Sequence, residues 1–108
     1  MEKVAGSNTS VYVGVFSKDY SEMLGRDAET IPAYTATGNG FSILSNRISY
    51  FFDLKGPSMT LDTACSASLS ALHLACQSLR TGESKMALVG GTNMIHSPDL
   101  MICMSLLR

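Results

Sequence analysis

The stretch SMTLDTACSASLSALHLACQSLRTGESKMALVGG, residues 58 to 91, constrains the fold more than any other. It begins with an alternation, Met59 and Leu61 against Thr60 and Asp62, which is the period of a strand. A long run rich in alanine, serine and leucine follows at once. In it Leu69, Leu72, Cys76 and Leu79 recur at helical intervals, and Ala67, Ala71 and Ala75 leave a neighbouring stripe with almost no bulk. The spacing predicts a helix that packs closely on several sides, closed by Arg80 in its last turn and Gly82 just beyond. SKMALVGG then reads as a continuous buried strand bounded by glycines. Strand, helix and strand in this order is the grammar of an α/β sheet.

The flanks agree. Ser10 to Phe16, SVYVGVF, is β-branched and aromatic, with Gly14 allowing close backbone approach. Ser17 is placed to cap a helix over KDYSEMLGRD that sets Tyr20, Met23 and Leu24 on one face and weakens at Gly25. After the small residues TATGNG, a helix runs through Phe41, Leu44, Ile48 and Phe51 or Phe52 until Lys55, Gly56 and Pro57 end it. TGNGFS lacks the third glycine of a dinucleotide loop and follows no convincing strand, so Gly38 and Gly40 read as easing that helix start. Leu100 to Leu107, LMICMSLL, is short and apolar and reads as core.

Composition removes several function classes. With eight basic and nine acidic residues scattered along 108 positions, the chain has no electrostatic footprint for nucleic acid or an anionic membrane. No run approaches the ~20 apolar residues of a membrane span. The opening MEKVAGSNTS resembles neither a secretory signal nor a transit segment. Three cysteines, at 65, 76 and 103, imply neither a disulfide framework nor a zinc site and fit a reducing, cytoplasmic setting. Cys76 lies eleven residues after Cys65, about three helical turns away, too far for a disulfide.

Cys65 stands where the strand gives way to the helix. With Thr63 as N-cap, it falls in the helix's first turn, where unpaired N–H groups and the macrodipole favour an anion and ease loss of the thiol proton. A strand-to-helix turn also aims a reactive atom into a pocket, with nearby N–H groups for an oxyanion, a geometry suited to acyl transfer. Position alone leaves the alternative of a small buried hydrophobe open.

The residues around the cysteine carry a resemblance. DTACSASL, Asp62 to Leu69, resembles the active-site signature of β-ketoacyl synthases, and ATGNGFSILSNRISYFFDLKGPSMTLDTACSASLSALHLACQSLRTGE is similar to polyketide synthase sequence throughout. The likeness continues through LVGGTNMIHSPDLMI and back to VYVGVFSKDY, and is strongest to the ketosynthase of fungal reducing polyketide synthases. The family commonly has serine where Ala67 stands and alanine where Ser45 stands. Neither change removes a group that the chemistry requires.

The resemblance implies a partial thiolase-like fold, part of a layered α-β-α-β-α architecture. Residues 1–108 would be an internal fragment of the synthase's N-terminal half with no second domain. The apolar close at MSLLR, without cap or turn, fits a fragment. It further implies that Cys65 is the acyl-accepting nucleophile, its backbone N–H an oxyanion donor, in a decarboxylative Claisen condensation with malonyl-acyl carrier protein. Substrates would ride on the carrier's phosphopantetheine, with no directly bound cofactor or metal. The partners implied are acyl carrier protein and a second copy of the synthase, with Asn46 to Phe52 near the dimer interface. Two histidines needed for decarboxylation would lie well downstream. His73 and His96 fall outside those motifs and read as structural or surface groups, so the isolated segment is expected to be inactive. A coenzyme A-dependent thiolase, a chalcone-synthase-like enzyme, and an inert structural piece are the alternatives.

Overall fold

A computed structural model describes residues 4–25 and 31–107. Its centre is the strand β1, Thr9–Val15, in which every residue is buried. Side chains of a strand alternate between faces, so full burial requires cover on both. Val11 and Val13 pack with Leu54 against Leu44, Ile48 and Phe52, from the helix α3 (Phe41–Phe51) and the turn that follows it. Tyr12 points the other way, onto Ala71 and Ala75 of the helix α4 (Ala67–Arg80).

Two parallel strands flank β1. On one side is β2, Ser58–Leu61, in register from Val11 with Ser58 to Gly14 with Leu61. On the other is β3, Met86–Thr92, in register from Thr9 with Met86 to Val15 with Thr92. The order is β2-β1-β3. The connection through α3 leaves β1 toward β2, and that through α4 returns over β1 to β3. Right-handed crossovers in opposite directions put their helices on opposite faces, as the two packing clusters show. The order therefore reverses at β1, and a crevice opens at the carboxyl ends of the strands.

Several details depart from the sequence expectations. The first helix, α1, covers only Asp19–Leu24, and Lys18 caps it, because the Ser17 hydroxyl donates instead to the Met94 carbonyl at 2.9 Å. A short helix, α2 (Thr35–Asn39), occupies part of the small-residue run before α3, and Gly40 caps α3. Of Phe51 and Phe52, which the spacing leaves open, Phe52 in the turn after α3 packs against the core and Phe51 is exposed.

In α4 the alanine stripe is the core face: Ala67, Ala71, Ala75 and Ser78 are buried, while Leu69, Leu72 and Leu79 are exposed. β3 is an edge of this sheet, half-buried to exposed along its length and not the buried strand that its composition predicts. LMICMSLL is not core either: within α5 (Asp99–Leu106) no residue is buried. The molecule is a slab of 44 × 39 × 19 Å with a radius of gyration of 16.3 Å, well above the ~13 Å of a compact 100-residue domain. Its thinness leaves the outer faces of α4, α5 and β3 to solvent.

Candidate active site

Cys65 sits at the carboxyl edge of the sheet, between β2 and α4, and is exposed. The turn that carries it is built from hydrogen bonds close in sequence. The Ala64 N–H donates to the Asp62 carboxylate at 3.0 Å, and Ala64 itself lies in the left-handed region with φ 54°. The Ser66 hydroxyl reaches back to the Thr63 carbonyl at 2.7 Å and to its hydroxyl at 2.9 Å, and Thr63 Oγ1 meets Ser70 Oγ at 3.0 Å.

These bonds move the helix start. Thr63, the expected cap, has its hydroxyl committed to Ser66 and Ser70, and the left-handed Ala64 keeps the chain out of the helix for two more residues. The cap is Ser66, whose carbonyl accepts the Ser70 N–H at 2.9 Å. Cys65 is therefore the residue before the cap, two positions short of the first helical residue and not in the first turn, though still beside the helix's positive end.

Glycines form the floor beneath this turn. Gly14 of β1 and Gly91 of β3 are register partners. A Cβ on Gly14 would stand 2.5 Å from the backbone of Ala67 and Ser68. The helix start thus lies directly on the sheet, and an open cleft of about 600 Å³ lined by Gly14, Phe16, Cys65, Ser68, Gly91 and Asn93 runs past the sulfur.

The loop after β3 is tied to α1 by a carboxylate. Asp19, nearly buried, accepts the backbone N–H groups of His96 at 3.1 Å and Ser97 at 3.3 Å. Burial alone would raise its pKa; those two N–H bonds and the charge of His96 outweigh it and hold the carboxyl below the usual carboxylate value. Sequence reading passes over Asp19, whose only local signal is a place in the first turn of a short helix.

Neither histidine lines the Cys65 cleft. His73 is exposed on α4, and His96 lies in the loop with its ring 5.9 Å from that of Tyr20. Cys76 is half-buried and Cys103 exposed. Among the described residues no cluster of His, Cys, Asp and Glu is placed to hold a metal ion, and no helix is long and apolar enough to cross a membrane. What the arrangement offers is a thiol in a rigid turn beside a helix start, open to a cleft and able to act as a nucleophile.

A family model described as the β-ketoacyl synthase N-terminal domain matches residues 1–108. The chain is 64% identical over 105 residues to the highly reducing polyketide synthase Preu1 of Preussia isomera, covering 97% of this chain and 4% of that protein. It is 59% identical, with the same coverage, to the compactin diketide synthase mlcB of Penicillium citrinum. Among solved structures, the ketosynthase from module 6 of the bacillaene synthase of Bacillus subtilis 168 superposes with a TM-score of 0.83 at 38% identity, over 97% of this chain and 17% of that one. The chain thus spans a small part of each relative's length.

Proposed function

The chain belongs to the β-ketoacyl synthase family, and from that premise we propose that it supplies the acyl-accepting cysteine of a polyketide-synthase ketosynthase. The observation that supports this reading best is Cys65 itself, held on a strand-to-helix turn at the carboxyl edge of the sheet and open to the cleft.

In the proposed reaction the Cys65 thiolate attacks the carbonyl carbon of an acyl chain carried as a phosphopantetheine thioester on acyl carrier protein. A new C–S bond forms to Cys65, the carrier's C–S bond breaks, and the departing thiolate takes a proton. The Cys65 N–H donates to the oxyanion of the tetrahedral intermediate. The malonyl extender then loses carbon dioxide on its own carrier, and the carbanion formed attacks the acyl-enzyme. The product is a β-ketoacyl thioester, and the Cys65 thiolate is regenerated.

Residues 1–108 act in this scheme as an internal part of the synthase's N-terminal half. Decarboxylation depends on histidines supplied from outside the segment, since His73 and His96 do not line the cleft. The segment alone is inactive. The synthase works in the cytoplasm as a homodimer, and Tyr50 and Phe51, 91% and 77% exposed, suit burial against the second copy. A coenzyme A-dependent thiolase or chalcone-synthase-like enzyme is not favoured, because the matching family is the β-ketoacyl synthases and the relatives include a highly reducing polyketide synthase.

The test is acyl loading of the full synthase, read by mass spectrometry of its peptides. Cys65→Ala is expected to abolish loading and Cys76→Ala to leave it intact. Loading that survives Cys65→Ala refutes the assignment, and equal loss in both variants assigns the cysteines to folding.

A further inference from the structure

We propose that Gly91 is a positioning residue: by lacking a side chain opposite Ser68, it sets the depth at which the start of α4 lies on the sheet and so the placement of the Cys65 sulfur. This rests on the reading of Cys65 as nucleophile.

Glycine weakens a strand, having no side chain to pack and more conformational freedom to lose, and β3 carries two in succession. They are not alike. A Cβ on Gly90 meets nothing within 4 Å, whereas one on Gly91 would stand 2.7 Å from Ser68 Cβ, 3.6 Å from its Oγ and 3.7 Å from its Cα. Carbon atoms in van der Waals contact need about 3.5–4.0 Å, so something must move. Neither glycine has a positive φ, so backbone conformation is not the reason for Gly91.

The direction of that movement is restricted. Beside Gly91, Gly14 faces the same helix start so closely that a Cβ on it would stand 2.5 Å from the backbone of Ala67 and Ser68, which leaves α4 little room to settle toward β1. Ser68 Cβ is fixed to the helix backbone and cannot swing aside, so the strain falls on the first turn of α4 and on the edge strand β3 that faces it. Cys65 is three residues before Ser68 and joined to it through the hydrogen-bonded turn of Thr63, Ser66 and Ser70, so the sulfur moves with it. Ser68 and Gly91 are both exposed, at the wall of the cleft and not in the core. Their fit therefore bears on where the nucleophile stands more than on how much apolar surface is buried.

The experiment compares wild type, Gly91→Ala, Ser68→Gly, the double variant Gly91→Ala/Ser68→Gly, and Cys65→Ala in the full synthase. The probe is hexanoyl-N-acetylcysteamine. Mass spectrometry follows the acylated Cys65 peptide to give a maximal rate and a half-saturation concentration, alongside the melting temperature.

Gly91→Ala is expected to lower the maximal acylation rate on the order of 10²-fold, the effect of an ångström-scale misplacement, with half-saturation and melting close to wild type. Removing the opposing Cβ in the double variant restores most of the rate. Acylation by Gly91→Ala at the wild-type rate overturns the proposal. So does a double variant that stays as slow as Gly91→Ala, or loss of the folded state in both. Loading that persists in Cys65→Ala would instead refute the nucleophile assignment, and the proposal with it.

Discussion

The carboxylate of Asp62 accepts the N–H of Ala64 at 3.0 Å, at a residue whose φ is 54°. An alanine in the left-handed region costs about 1–2 kcal/mol against the ordinary helical conformation, and a hydrogen bond to a charged group returns about 1.5–3 kcal/mol. The bond offsets that cost, so the shape of the turn before Cys65 depends on that acceptor.

Asp62→Ala is therefore expected to relax Ala64 and slow acylation of Cys65 by about tenfold, which corresponds to roughly 1.4 kcal/mol, near the lower end of what the lost bond returns. Asp62→Asn keeps an acceptor oxygen and holds the rate within a few-fold of wild type. Rates of acyl-thioester transfer to Cys65 in the full synthase measure both. Equal loss in the two variants would show that the charge, and not the turn, matters.

Which features were legible in the sequence follows from how local their causes are. The strand β1, the close approach at Gly14 and the placement of Cys65 between strand and helix all rest on neighbours a few residues apart, and all are present. The orientation of α4 does not. Leucine outranks alanine as a core residue on any local pattern, yet the helix start lies so near the sheet at Gly14 and Gly91 that its inner face is made of small residues, Ala67, Ala71, Ala75 and Ser78. The apolar composition of α5 and β3 likewise says that they suit burial, not that a partner within these 108 residues covers them. Asp19 is hidden for a related reason: its N–H donors lie 77 and 78 residues away. The cap of α4 is hidden at closer range, because the competing bonds of Thr63, Ser66 and Ser70 pass between side chains whose rotamers no spacing rule specifies.

Asp19 gives a pH dependence of definite sign. Its carboxyl titrates below the usual value in the folded chain, so it binds protons less readily there than when unfolded. Its contribution to stability is present above the unfolded value of about 3.8 and is lost as pH falls through the lower, folded value. Asp19→Asn should melt below wild type at pH 6 to 7, and the gap should close as the solution is acidified below about 4. Melting curves across that range, read by circular dichroism, measure it. A gap that widens on acidification would mean that the folded carboxyl is raised, contrary to its hydrogen bonds.

The two faces of α4 make opposite predictions for the 108-residue chain. Ala71 is fully buried against Tyr12 and Ala75, so Ala71→Leu must push the helix from the sheet, at a cost of about 1–3 kcal/mol. Leu69, Leu72 and Leu79 are 69%, 47% and 45% exposed, and replacing all three with glutamine removes apolar surface from solvent without opening a core cavity. The triple variant should show a larger soluble, monomeric fraction by gel filtration and keep the helical signal in circular dichroism. Ala71→Leu should lose that signal or lower the melting temperature. If the leucine replacements unfold the chain while Ala71→Leu is tolerated, α4 presents the leucine stripe to the sheet, and the glycine seat under Cys65 is misplaced with it.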